Sequence, residues 1–228
     1  MMDNSKWIKA YFLREYENEF NKLIHEAETE ELLLKVRDYV ERLCDTPIQE
    51  FIDYILFKSE VKMISAEDIY QYSRYEVAIF KTCGLLNECT KGLSYEELGI
   101  ALQNDGVIRS KIANEKYGSN HFKLAECFGL AYRCEHKCFV SALGLTWSEL
   151  GEDKRRVLVT RLILRSNLIQ KIIKLGNESN GEVDLEAELY DISEKTYLRR
   201  KPCIRRVIEE LTKSVEHDFS DLADRIKY

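Results

Sequence analysis

The chain has 228 residues, enough to bury a real core, and its 45% hydrophobic and 32% charged residues exclude a disordered or fibrous chain. With only 10 Gly and 2 Pro, the composition favours helices over an all-β fold. The net charge of −6 is unevenly spread: residues 1–100 hold 12 Lys/Arg against 20 Asp/Glu, and residues 101–228 hold 22 against 20, so affinity for nucleic acid has to come from local clusters in the second half.

No apolar run reaches membrane-spanning length and the start lacks a signal-peptide core, so a cytoplasmic protein without membrane contact is expected. Seven Cys, an odd number, read as reduced thiols in such a compartment.

Apolar positions at helical spacing predict two amphipathic helices over residues 5 to about 44, with Glu-rich outer faces. Pro47 opens a third helix carrying Phe51, Ile52, Ile55 and Leu56. Ser65, with Asp68 three residues on, predicts the cap of a fourth, running through Tyr72, Tyr75 and Ile79 to about Leu86. Residues 1–64 are expected to form an acidic helical bundle that could dock a protein partner or a second copy.

A second region begins at Gly92. Ser94 and Glu97 form a capping box for a short helix ending near Asp105-Gly106, and a longer helix is predicted over Asn120–Gly129. The period then shifts towards two around Leu130, Tyr132, Cys134, Phe139 and Ser141, which predicts a β-hairpin with Glu135-His136-Lys137 at its tip. Glu152 to Leu175 reads as one long helix ending at Gly176, followed by a loop at 177–181.

Asp191–Leu211 reads as a helix-turn-helix. Ser193 caps a short helix over Glu194–Arg200, and Pro202 disfavours helical geometry at Lys201 while suiting the first turn of a new helix. Ile204, Val207, Ile208, Leu211 and Val215 form one apolar face of that second helix. The expected architecture is mainly α, with the N-terminal bundle followed by winged-helix units at 65–150 and 151–228 and one small hairpin wing.

Three segments, Lys116–Leu130, Arg155–Arg165 and Ile192–Arg200, resemble the tandem winged-helix segments attached to bacterial restriction-modification and phage-defence proteins. The resemblance covers roughly residues 90–215. It implies a DNA-binding role in such a system and carries no catalytic residue. The chain departs from that pattern in having Pro202-Cys203 at the second recognition helix and no Trp after Trp147.

The candidate contacts to double-stranded DNA follow from charge and helix position. In the first unit they are Lys116, Tyr117, Ser119, Asn120, His121 and Lys123 at the expected start of the recognition helix, with Lys137 at the wing tip. In the second unit Lys195, Arg199, Arg200 and Lys201 are expected at phosphates, and Arg205 and Arg206 within reach of base edges. Cys134, His136 and Cys138, with Cys127 nearby, invite a zinc reading, but one hairpin and one helix supply every ligand and no distant pair matches them. Asp53 with Glu60 and Lys62 superficially matches a Mg²⁺-dependent nuclease, whereas the surrounding pattern is helical rather than the strand such chemistry uses. No nucleophile constellation or Gly-rich phosphate loop is visible, so the sequence points to a non-catalytic DNA-binding protein without cofactor, with a protein-interaction adaptor as the alternative.

Overall fold

A computed structural model describes residues 30–58, 63–103, 105–179 and 181–228. It is mainly helical with one antiparallel hairpin, and among the described residues no helix is long and apolar enough to cross a membrane. Two compact units are present. One contains residues 30–42 and 71–151, the other 43–70 and 152–228, so residues 43–58 of the expected N-terminal bundle belong with the C-terminal third. The first part of that bundle, residues 1–29, lies outside the described residues.

Helix α1 (Glu30–Asp45) supplies residues to both units, and helix α2 (Ile48–Lys58) follows Pro47 as expected. Ser65 and Asp68 do form a capping box, but it closes only a 3₁₀ turn at Ala66–Asp68. The continuous helix expected from Ser65 to Leu86 is absent, because the chain passes from one unit to the other after Tyr70. Helical structure resumes as a π-turn, Val77–Lys81, running into α3 (Thr82–Glu88).

In the unit of residues 71–151, α4 (Tyr95–Gln103) packs against α5 (Lys111–Cys127), followed by β1 (Ala131–Cys134), β2 (Lys137–Val140) and α6 (Ala142–Glu149). Leu93 makes an isolated antiparallel bridge to Cys138, so a third short segment flanks the hairpin on the β2 side. The α4/α5 crossing is close because both helices present glycine there. A Cβ on Gly118 would lie 2.0 Å from the Tyr95 carbonyl oxygen, and one on Gly99 would lie 2.0 Å from that of Asn114. The core beneath is apolar, with Ile79, Leu86, Leu98, Phe122, Leu130 and Leu143 buried and Trp147 edge-on to Phe80.

Helix α5 begins nine residues before the expected start, with Ser110 capping the amide of Ala113. Its first turns hide from an apolar-periodicity reading because the inward positions include Asn114, Gly118 and His121, all buried.

In the other unit, the single helix expected over 152–175 is two, α7 (Glu152–Leu164) and α8 (Asn167–Glu178). The break is stabilised by Gln170, whose buried amide donates to the Leu164 and Arg165 carbonyls that the interruption frees. Gly176 does not end a helix; it lies inside α8 against Leu222.

Then follow β3 (Val183–Asp184), α9 (Leu185–Glu188), α10 (Glu194–Leu211), α11 (Ser220–Asp224) and β4 (Ile226–Lys227), with β4 pairing parallel to β3. The turn expected at Pro202 is also corrected: α10 runs unbroken through it. A proline there removes one N–H and crowds the Leu198 carbonyl. Both residues are exposed, so water can serve that carbonyl, while Tyr197, Ile204, Ile208 and Leu211 anchor the opposite face. A short connection precedes the helix, between α9 and α10, and Val215 falls beyond the helix and is exposed.

Arg161 is fully buried in this unit. Its Nε donates to the Leu43 carbonyl at 3.0 Å and Nη2 to the Thr46 carbonyl at 2.6 Å, and its two terminal nitrogens grip the Glu216 carboxylate. The side chain thereby serves the C-terminal end of α1, whose last carbonyls have no helical partner.

Candidate nucleic-acid interface

An open groove of about 790 Å³ lies on the unit of residues 71–151, bounded by the start of α4, one stripe of α5 and the hairpin. The α5 stripe comprises Lys111, Ile112, Glu115, Lys116, Ser119 and Lys123, which share a face at helical spacing. From the hairpin come Arg133 and His136.

Arg133 is held in place by a ring. Its guanidinium sits 4.6 Å from the centroid of Tyr95, which is itself fixed against Phe122 at 5.7 Å. Burial pushes the Tyr95 phenol above its ordinary range, opposed by the cation beside it, so the hydroxyl stays neutral. Lys116 and Lys123 are exposed and close no ion pair among the described residues, although the Glu126 carboxylate interacts with Lys123 and with Arg133. Lys111 is shared between Glu96 at 3.6 Å and Glu115 at 3.8 Å. The groove therefore carries an excess of positive charge in a chain that is acidic as a whole.

The expected contact residues of this unit divide into two sets, and none of them begins a helix, since α5 starts at Lys111. Lys116, Ser119 and Lys123 line the groove, and Asn120 is half-buried beside them in sequence. Tyr117 and His121 face inward instead. His121 is 1% exposed, accepts at Nε2 from the Ser73 hydroxyl at 2.8 Å, and has Nδ1 2.8 Å from the Tyr117 carbonyl. A carbonyl can only accept, so Nδ1 carries the proton. The Tyr117 hydroxyl also meets Ser73, at 3.2 Å. His121 thus pins the turn before the π-helix to α5 and cannot touch DNA. Burial lowers its pKa. Lys137 remains exposed, with Nζ bonded to the Lys91 carbonyl at 3.1 Å.

The hairpin tip is a two-residue turn in which Glu135 (φ 46°) and His136 (φ 72°) both adopt left-handed backbone. Such turns match strand twist but favour Asn and Gly, so two side-chain-bearing residues here carry strain. Cys134 is exposed opposite Lys137, whereas Cys138 is buried opposite Arg133. Register positions one apart point to opposite faces, so these thiols do not converge on a common ion. Burial pushes the Cys138 thiol up to about 12.

On α10 the expected basic cluster is partly consumed. Arg200 donates to the Ile69 carbonyl, Lys201 to the Tyr228 carbonyl at 2.9 Å, and Arg206 lies near the Cys203 sulfur. Arg205 is exposed, with its guanidinium 4.6 Å from the Tyr228 ring. Lys195 and Arg199 are exposed and make no internal ion pair among the described residues. Asp53, proposed for metal chemistry, is exposed on α2 and accepts from Gln49, while Glu60 and Lys62 lie outside the described residues.

Comparison with family models, curated proteins and solved structures finds no match for this chain.

Residues missed in the sequence are Lys111, Ile112, Glu115 and Arg133. The first three belong to turns of α5 that periodicity did not register. Arg133 acquires its place from the Tyr95 ring, 38 positions earlier in the chain.

Proposed function

We propose that the protein binds duplex DNA through the groove between α5 and the hairpin, and acts by positioning rather than by catalysis. One observation carries the reading: Lys116, Lys123 and the ring-held Arg133 line a single open groove, and among the described residues none of them closes an ion pair, Glu126 being the carboxylate whose field reaches Lys123 and Arg133. The order of elements supports it too, since helix, bridged segment, helix, helix and hairpin is the sequence of a winged helix. A helix about 10–12 Å across fits a major groove about 12 Å wide. The exposed Lys195 and Arg199 of α10 add phosphate contacts in the other unit. The setting in restriction-modification or phage defence is proposed on the sequence resemblance alone.

Fluorescence anisotropy with a labelled duplex tests the proposal. Binding should weaken steeply with salt, and replacing Lys116, Lys123 and Arg133 together with Ala should flatten the log–log slope by roughly 3, about 0.9 per lost phosphate contact. No binding at low salt, or an unchanged slope in the triple variant, would sink the reading.

A second reading, a protein-interaction module, draws on the loop between α4 and α5, where Ile108 is 98% exposed beside Val107 and Ile112. It gains if I108D leaves DNA affinity intact and abolishes capture of a protein partner.

A further inference from the structure

The side chains in the groove are not all suited to phosphate. Ile112 is 76% exposed within it, and Glu115 stands three residues on, the two being neighbours on one helix face. A carboxylate repels phosphate and an isoleucine has nothing to offer one. In the major groove, however, each has a partner. The apolar group on base edges is the C5 methyl, and the donor that glutamate accepts from is the N4 amino group of cytosine.

We infer that Ile112 and Glu115 are the specificity-determining pair of this site, and that together they select a C5 methyl group lying beside a C4 amino group on the major-groove edge. The inference rests on the duplex-DNA reading of the groove. Two sources present that chemistry. In 5-methylcytosine both groups sit on one base, and in a thymine stacked on a cytosine they sit on successive bases. The Cβ atoms of residues three apart on a helix are about 5–6 Å from one another, a spacing that serves either arrangement. Lys111 steadies the arrangement: it lies 3.8 Å from Glu115 and 3.6 Å from Glu96, so it draws the carboxylate towards the groove wall without removing it from the groove. Lys116 and Lys123, farther along the same face, and Arg133 on the hairpin then hold the backbone that brings those bases into register.

The test uses the full chain and duplexes enriched by it from random-sequence pools, one built with cytosine and one with 5-methylcytosine. In the enriched duplexes each thymine is replaced in turn by deoxyuridine, or each 5-methylcytosine by cytosine, which deletes one methyl group and nothing else. At one position the loss should weaken wild type about fourfold and leave I112A unaffected. The pool in which the effect arises identifies the source. Replacing the selected cytosine with thymine should cost wild type about tenfold and E115Q much less, because an amide can donate to the thymine O4. Binding that depends on salt but ignores every methyl deletion overturns this inference alone. Absence of binding at low salt overturns it together with the reading of the groove. Ile112 and Glu115 are on the surface, and an unchanged circular dichroism spectrum confirms that the variants fold.

Discussion

Replacing Arg161 tests the polar keystone of the unit of residues 43–70 and 152–228. In R161M a side chain of similar length remains apolar, and four hydrogen bonds vanish: one each to the Leu43 and Thr46 carbonyls and two to Glu216. Each buried carbonyl left without a donor costs about 1–3 kcal/mol. Glu216 is 24% exposed, so water recovers part of its loss. The total comes to about 3–5 kcal/mol, the range for removing one partner of a buried pair. For a chain of this size that corresponds to a fall in Tm of roughly 6–20 °C. The double variant R161M/E216M should recover about 1–2 kcal/mol by removing the stranded carboxylate, but not the share owed to the carbonyls. Because two units need not unfold together, the readout is hydrogen exchange of the α7 amides alongside urea denaturation. A cost under about 1 kcal/mol, or wild-type protection of α7, would refute the assignment.

Three further outcomes are expected. G118A should destabilise the other unit by about 3 kcal/mol in urea titrations, since the new methyl meets the Tyr95 carbonyl at 2.0 Å and backbone cannot move aside cheaply; a change within 0.5 kcal/mol of zero would remove the close crossing from the argument. Replacing Glu135-His136 with Asn-Gly should stabilise by about 1–2 kcal/mol, because both positions have left-handed backbone, and a lower Tm would show that the turn is unstrained. His121 gives stability a pH dependence. Its folded pKa lies below the ordinary 6.5, so the unfolded chain binds more protons as pH falls through that range. This contribution is fully present above the unfolded value and lost as pH falls towards the folded one. H121Q should flatten that limb in denaturation midpoints measured from pH 5 to 8, and an unaltered slope would assign the dependence to other groups.

The helical class, the β-hairpin, and the helices after Pro47 and Ser94 were legible because each depends on neighbours within a few residues: a cap, a proline, or a change of period; the expected tip of Glu135-His136-Lys137 is one residue shorter, since Lys137 already pairs with Cys134. Three boundaries were not. The true start of α5 is disguised by Asn114, Gly118 and His121, inward-facing residues whose partners, Gln103, Tyr95 and Ser73, are remote in sequence. The gap at Arg165-Ser166 depends on Gln170 reaching back, and nothing apolar changes there. Pro202 marks a turn by local rules, yet burial on one face of α10 and solvent on the other override it.

The candidate site shows the same division. Lysines at 116 and 123 could be chosen from sequence because charge on a polar helix stripe is a local property. Which cations remain available is not local. Lys201 and Arg200 are used up by carbonyls 27 and 131 positions away, and Arg133 is made available by a ring from another helix. By itself the sequence determined that the chain is helical, where several helices begin, and that positive charge gathers in its second half. Tertiary structure alone decided which charges face solvent together, because desolvation and hydrogen bonding depend on neighbours that only folding supplies.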